Sequence, residues 1–496
     1  MGMRYTFSRW FLFSGLLLLG CLLRSPVQAG PDSLPGGPGF DIKAFQQRQK
    51  QQHQDRMGGV PPAILAAQHN SAFEVPTYDE AAREAVTMAE QKTLALIDRT
   101  FHGKGRTLIV PDTYRSIQEA IDAARSGDTV LVRAGTYFEQ LVMKDGVRLV
   151  SDASDGGDRL VPVKNCLLKL PRRTLRTIID GSESTPSSHG MIDFVPGAGR
   201  KTMVDGFTIQ NLPPQNHHIP GHAHALNVRG ASPVIMNCLI QNNGSTGIGS
   251  HVVYEDQQAP MPERDFRFAN IRHRTSAVIY HNILRGNLGL GIGSNHFAEP
   301  FILGNEVLAN SDEELGGPPT PGIGNKHGAA ATILGNIVHH NPGGGILCKE
   351  GSPQGRYPID RRPHPNIIKN VVYDNGSVRP GISASGCGTM KTPVRIVGNS
   401  VYRAGLVGIG LSDGSVAIID DNMVVGSRQA GIAIKGATVL HLNRNRVRDT
   451  KQGPGIVMVD GSRVLQMEGN ISKANMGPRF VAEKGTFTAP AGRQPE

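Results

Sequence analysis

One short phrase governs this chain: an asparagine leading into an apolar stretch, usually followed by a Gly-Ile pair and a return to the next asparagine. It recurs nine times, at Asn237, Asn282, Asn305, Asn336, Asn370, Asn399, Asn422, Asn445 and Asn470. The tightest intervals, Asn282 to Asn305, Asn399 to Asn422 and Asn422 to Asn445, are each 23 residues, and the others are longer by insertion. A unit of this length has an apolar face and nothing of its own to bury it against, so the units must stack into a solenoid. The 61 glycines, 33 prolines and single tryptophan suit such a turn-rich stack.

Gly247-Ile248, Gly291-Ile292, Gly322-Ile323, Gly345-Ile346, Gly381-Ile382, Gly408-Ile409, Gly431-Ile432 and Gly455-Ile456 mark a second strand in each coil. Stacking brings equivalent residues to the inter-strand spacing of about 4.8 Å. The repeated asparagines, from Asn237 to Asn470, should then form a ladder whose amides bond along the axis. A second column is expected five residues on, at Asn242, Asn287, Asn310, Asn341, Asn375 and Asn475. Both columns are read as structural, because stacked buried amides satisfy one another.

Arg4 and Arg9 precede an apolar run from Trp10 to Leu23 and the small-residue stretch Val27-Gln28-Ala29. Residues 1–29 therefore read as an export signal and not a membrane span. Leu18-Leu19-Gly20-Cys21 also has the form of a bacterial lipobox. Two products stay open: a protein attached to a membrane only through a lipid anchor at Cys21, or a soluble one cleaved after Ala29. Either is exported to the periplasm, cell envelope or medium. Residues 30–105 read as a disordered tether rich in Pro, Gly and Gln, followed by an amphipathic helix within 78–99. The solenoid is placed at 106–478 and a polar tail at 479–496.

Beyond Cys21, the cysteines Cys166, Cys238, Cys348 and Cys387 are far apart and never form Cys-x-x-Cys. That spacing excludes a sequence-evident zinc site or haem attachment and leaves one disulfide open. The formal charge of +10 favours an acidic partner. Basic residues are scattered and no nucleic-acid recognition motif interrupts the repeats, so the expected partner is an acidic polysaccharide and not nucleic acid. No cofactor can be named.

Leu108-Ile109-Val110 followed by Ser116 to Ala124 reads as a strand and a short helix, and Val130-Leu131-Val132, Gly135-Thr136-Tyr137 and Val147-Arg148-Leu149-Val150 as the strands after it. This opening resembles the cap of the pectin-lyase-like superfamily, especially NosD-like bacterial repeat proteins. With the asparagine repeats the resemblance covers roughly 106–478. It implies an all-β fold, a single-stranded right-handed parallel β-helix of eleven or twelve coils with a short N-terminal helical cap.

Stacked positions that break the pattern mark a surface stripe. After the Gly-Ile strands the turns offer Ser294-Asn295-His296, Asn325-Lys326-His327 and Cys348-Lys349-Glu350, with Arg229 and His251 near the same turn in the preceding coils. Long insertions follow His251 and Glu350, whereas the coils of His296 and His327 return briefly, so a groove between two tall loops is expected. Catalysis is assigned to His296, His327, Lys326 and Glu350. Substrate binding is assigned to Arg229, His251, Lys349, Arg356, Arg361, His222 and His224. In lyases and C5-epimerases of uronate polymers, a base takes the proton beside a carboxylate that a cation neutralises. Imidazole titrates near neutrality and suits the base or acid, and lysine or arginine suits the carboxylate.

Asn325-Lys326-His327 is similar to the Asn-Lys-Ser of alginate and chondroitin lyases, with His in place of Ser. Arg356, Pro358 and Arg361 repeat the spacing of an arginine motif in pectate and pectin lyases, inside an insertion. The polygalacturonase signatures are absent. His217, His218, His222 and His224 gather in one loop, a donor set for a transition metal or for sugar hydroxyls, and no metal site is assigned. The resulting expectation is an exported protein acting on an acidic polysaccharide, as lyase or C5-epimerase. The alternative is a non-catalytic NosD-like envelope protein that binds a metal or a partner.

Overall fold

A computed structural model describes residues 105–184, 189–214, 224–256, 258, 265–311, 319–350, 361–376 and 378–482. The segments expected to form an export signal and a tether with a helix, most of the expected tail, His217, His218, His222 and Arg356 lie outside the described residues.

Each coil supplies three short strands, such as Val278–Tyr280, Ile283–Arg285 and Ile292–Ser294. Each strand pairs in parallel with its counterpart one coil on: Val278 with Phe301, Ile283 with Glu306 and Ile292 with Ile323. Repetition builds three long sheets of 13, 12 and 12 strands, here A, B and C. The last strand of sheet C, Phe480–Ala482, carries the solenoid past residue 478. Successive side chains alternate across a strand, so one column per strand points inward. Ile279, Leu284 and Ile292 show that column in a single coil, and all three are fully buried. Each such side chain stabilises the stack by about 1.5–3 kcal/mol.

The corner between sheets A and B explains the asparagines. One residue there takes a left-handed conformation, as His281 (φ 54°), Gly304 (57°) and Gly335 (65°) do, and the next residue enters sheet B. In that next position the backbone N–H and side-chain amide of Asn282 both donate to Asn305 Oδ1 at 3.0 Å. The same amide donates to the Ile235 carbonyl of the preceding coil at 3.0 Å. Each rung thus ties three coils, and the chain of amides continues through Asn336, Asn370, Asn399, Asn422 and Asn445 to Asn470.

Two expected rungs are displaced by one residue. Leu239 pairs with Ile283, which aligns Asn237 with His281 and puts Cys238 in the rung position. Asn237 is the left-handed corner residue (φ 54°), and the Cys238 N–H donates to Asn282 Oδ1 at 2.9 Å. Asn242 likewise occupies a corner (φ 55°), and Asn243 donates to Asn287 Oδ1 at 2.9 Å. Asparagine tolerates the left-handed region better than most residues, so the same residue type fits either position. The second column runs Asn243, Asn287, Asn310, Asn341, Asn375. It resumes at Asn475, which accepts from the Thr450 N–H at 3.0 Å.

The first coil is covered by the helix Ile117–Ala123, whose buried face is Ile117, Ala120 and Ile121. Ser116 caps it by accepting from the Glu119 N–H at 3.1 Å. The Glu139 carboxylate accepts the next two free donors, Ile117 N–H and Gln118 N–H, at 2.8 and 2.9 Å. Those donors have no partner inside a helix, so a carboxylate there both bonds them and meets the positive end of the dipole.

An excursion from the second coil, with strands Leu160–Pro162 and Lys169–Pro171, forms a strap over the outside of sheet B. Val163 and Leu170 pack on Leu239, Ile283 and Leu308. The fully buried Glu306 carboxylate accepts the Leu167 and Leu168 N–H groups at 2.9 and 2.7 Å and contacts His339 Nε2 at 3.0 Å.

Candidate functional site

The outer side of sheet C and the corner that follows it hold the candidate residues. In its strands Ser250, Ser294, Asn325 and Cys348 share one register row, and Cys348 joins the core, so this row faces inward. The next residue faces outward, giving the row Arg229, His251, Asn295, Lys326 and Lys349. One residue further is the corner, held by Gly230 (φ 62°), His296 (50°), His327 (52°), Glu350, Gly386 (69°) and Asp413 (57°). The expected single edge is therefore two adjacent rows, one with Arg229 and His251 and one with His296, His327 and Glu350.

Four imidazoles nevertheless form one column. His224 and His251 stack with centroids 5.2 Å apart, His251 and His296 lie 6.0 Å apart, and His296 and His327 stack at 5.0 Å. Only His296 and His327 hold equivalent positions in successive coils; His251 comes from the neighbouring strand row, and His224 reaches over Gly249 from the entrance of the preceding strand. His224 Nε2 and His251 Nε2 are 3.0 Å apart, a contact in which one ring donates and the other accepts. Gly249 makes room for it, since a Cβ there would overlap the His224 ring. Among the described residues no three His, Cys, Asp or Glu side chains are placed to hold a metal ion.

Next to the imidazoles is a cluster of cations. Burial, with Arg379 and Lys349 nearby, lowers the pKa of the Lys326 ammonium. Burial likewise depresses Arg379. No carboxylate among the described residues lies within ion-pair distance of Lys326, Lys349 or Arg379; Asp413 is bonded by the Ser385 and Ser412 hydroxyls. Burial first, and the Lys326 charge second, pull His327 down to about 4. His327 is therefore neutral at physiological pH, with Nδ1 buried and unbonded.

The described parts of the two insertions meet. The first folds as an antiparallel hairpin, Val253–Tyr254 with Ile271–His273, and packs Phe266 on the His296 ring at 5.4 Å. Tyr254 Oη approaches His296 Nδ1 at 3.5 Å. The second insertion places the Arg361 guanidinium 3.3 Å from the Phe268 ring centroid. These described parts thus touch beside the corner. That contact occupies the Arg361 guanidinium on an aromatic face, which leaves it out of the cation cluster, because a cation over a ring is held by the ring's quadrupole.

Asn325 is also not a surface group. It is 1% exposed, donates to the Ala329 carbonyl at 2.9 Å and accepts from the Ala331 N–H at 3.2 Å. Of the Asn-Lys-His triplet only Lys326 and His327 face outward. Glu350 is in the corner row, its N–H donating to the Ser385 carbonyl at 2.9 Å. Arg379 was not legible from the motif, because it precedes the Gly-Ile pair. Its signal is a cation two residues before Gly381, where the three preceding coils carry Gly289, Thr320 and Gly343.

Two family models cover most of the chain: "Right handed beta helix region" matches residues 359–489, and "Protein of unknown function (DUF1565)" matches residues 110–354. The chain is a right-handed parallel β-helix. Among solved structures the β-helix is similar to the A-module of mannuronan C-5 epimerase AlgE4 from Azotobacter vinelandii, at 15% identity and a TM-score of 0.43, over 79% of this chain and 99% of that one. It is similar to the periplasmic alginate epimerase AlgG at 12% identity and a TM-score of 0.44, over 76% of this chain and 85% of that one. It is also similar to the catalytic domain of a GH87 alpha-1,3-glucanase at 11% identity and a TM-score of 0.43, over 77% and 69%. No curated protein matches the chain.

Proposed function

We propose that this exported β-helix acts on an acidic polysaccharide, as a lyase or C5-epimerase, along the outside of sheet C. The observation that carries the reading is the cluster of Lys326, Lys349 and Arg379, none of them in an ion pair with a described carboxylate although Asp413 lies near enough to Lys349 to feel its charge, next to the stacked His296 and His327. Lys326 and Arg379 are partly withdrawn from water and Lys349 is exposed beside them; cations that crowd one another in this way gain from an anion that enters between them. A uronate carboxylate is such an anion, and its neutralisation acidifies the C5–H beside it.

His327 is neutral before substrate arrives and so has a lone pair available. A carboxylate bound nearby raises the imidazole's proton affinity toward the range a general base needs. His296, stacked on it, is the second candidate for moving the proton. Glu350, in the next coil of the same corner row, is the candidate acid, and Arg229, His251 and His224 extend the polar surface along the axis. The Nε2 contact between His224 and His251 favours a second reading, in which this face binds a partner or ligand without turnover.

The test is a panel of alginate, polygalacturonate and glycosaminoglycans, with ultraviolet absorbance for unsaturated uronates and NMR of the polymer for epimerisation. Lys326→Ala and Lys349→Ala should raise KM, and His327→Ala and His296→Ala should lower kcat. Binding without any product supports the second reading. Failure to bind every polymer, or full activity in the two histidine variants, ends the proposal for this face.

A further inference from the structure

We propose that Cys348 and Cys387 form a disulfide inside the solenoid when the chain folds under oxidising conditions. Cys348 is the inward residue of the strand Ile346–Lys349, between Leu347 and the outward Lys349. Cys387 follows the corner glycine Gly386 one coil later. Both are fully buried, and their Sγ atoms lie 2.6 Å apart. Ordinary non-bonded heavy atoms settle at about 3.5–4.0 Å, so the fold brings these sulfurs well inside contact distance.

Apart from this pairing, the Cys387 thiol has a contact with the Ser385 carbonyl at 3.3 Å and the Cys348 thiol only long ones. The rows above and below Cys348 carry Asn325 and Ala384 in the same inward position. The other polar contacts of Cys348 Sγ, with the Pro363 carbonyl and the Asn325 amide, are long, at 3.9 Å. Cys166 and Cys238 are excluded as partners by place: Cys166 sits outside sheet B beside Arg285, and Cys238 occupies the first rung of the asparagine ladder.

The chemistry balances with a low-molecular-weight disulfide such as oxidised glutathione. One cysteine thiolate attacks it, forming a mixed disulfide and releasing one glutathione thiolate. The second cysteine thiolate then attacks the mixed disulfide and releases the other. The protein loses two protons and two electrons, and the oxidant becomes two thiols. Burial pushes the Cys348 thiol well up in the finished fold, so the exchange belongs to the folding chain, before these coils close. The bond closes a loop over a separation of 39 residues, which contains the whole second insertion, and fixes the strand that presents Lys349 to the coil below it.

The test is oxidative refolding of the full chain in a reduced and oxidised glutathione buffer. The product is quenched in acid, denatured, alkylated with N-ethylmaleimide and mapped by mass spectrometry. Peptides containing Cys348 and Cys387 should appear as one cross-linked species lacking two hydrogens, while Cys166 and Cys238 are alkylated. A reductant should lower the melting midpoint of the wild type and leave that of a Cys348→Ala/Cys387→Ala variant unchanged. If protein with a native β-sheet circular dichroism spectrum alkylates Cys348 and Cys387 as fully as Cys238, the proposal is overturned. That result needs only the wild-type chain, whether or not the double variant folds.

Discussion

Asn336 offers the sharpest test of what holds the coils in register. Its Oδ1 accepts from the Asn305 N–H at 2.9 Å and the Asn305 side-chain amide at 3.0 Å. Its Nδ2 donates to the Ile302 carbonyl at 2.9 Å and Asn370 Oδ1 at 3.0 Å. In Asn336→Ala, the Asn305 side-chain amide keeps the Ile279 carbonyl at 2.9 Å, and Asn370 Oδ1 keeps the residue-336 N–H at 2.9 Å. The Asn305 backbone N–H is left buried with no acceptor. That orphan costs about 1–3 kcal/mol, and the lost side-chain bonds about 1 kcal/mol more, for a total of about 2–4 kcal/mol. Asn336→Asp restores the acceptor but sets a buried carboxylate against two oxygens, so it should be worse than alanine at neutral pH. It should recover on acidification, when the carboxyl regains a donor. Urea denaturation gives the global cost, and amide exchange over residues 301–308 reads the local opening that stacked coils permit. An alanine variant within about 0.5 kcal/mol of wild type, as for ordinary surface changes, would refute the ladder as a source of stability. So would an aspartate variant more stable than alanine at pH ~7, since the carboxylate oxygen that replaces Nδ2 would face two acceptors with no donor.

Two further outcomes are expected. His327 and His340 are each held at about 4, both chiefly by burial, with Lys326 and His339 respectively adding to it. The unfolded chain, with histidines near ~6.5, binds protons that the folded one refuses, so stability is full above that value and falls as pH drops toward the folded pKa. His327→Gln and His340→Gln should each flatten the urea midpoint between those limits, and an unchanged pH profile would contradict the buried, neutral assignment. Gly249→Ala should push the His224 ring off sheet C and break its 3.0 Å contact with His251. The His251 ring resonances should then move in NMR while those of His339 hold still.

The period of the fold could be read directly, because a buried amide ladder admits few residue types other than asparagine. The offset at Asn237 and Asn242 could not, because the adjacent left-handed corner accepts asparagine too. The strap over sheet B left no local mark: Leu167 meets Glu306 across a separation of 139 residues, through contacts no periodicity encodes. His296 and His327 were visible as a pair because they hold the same corner in successive coils. His224 joins them from a strand entrance outside the phrase, Arg379 from the turn before the Gly-Ile pair. Phe268 and Arg361 come from two different insertions, and only the folded chain shows that they meet.

The corner after sheet C has a consequence for how such a surface changes over time. Gly230, His296, His327, Gly386, Asp413, Gly436 and Asp460 all sit there with positive φ. Few side chains tolerate that backbone, so the socket has a short alphabet, chiefly glycine, aspartate, asparagine and histidine. Within it, one substitution swaps an inert methylene for an acid or an imidazole at a fixed point on the axis, with the rungs on either side undisturbed. New reactivity can be written into this solenoid one letter at a time, in a script whose spelling the backbone restricts.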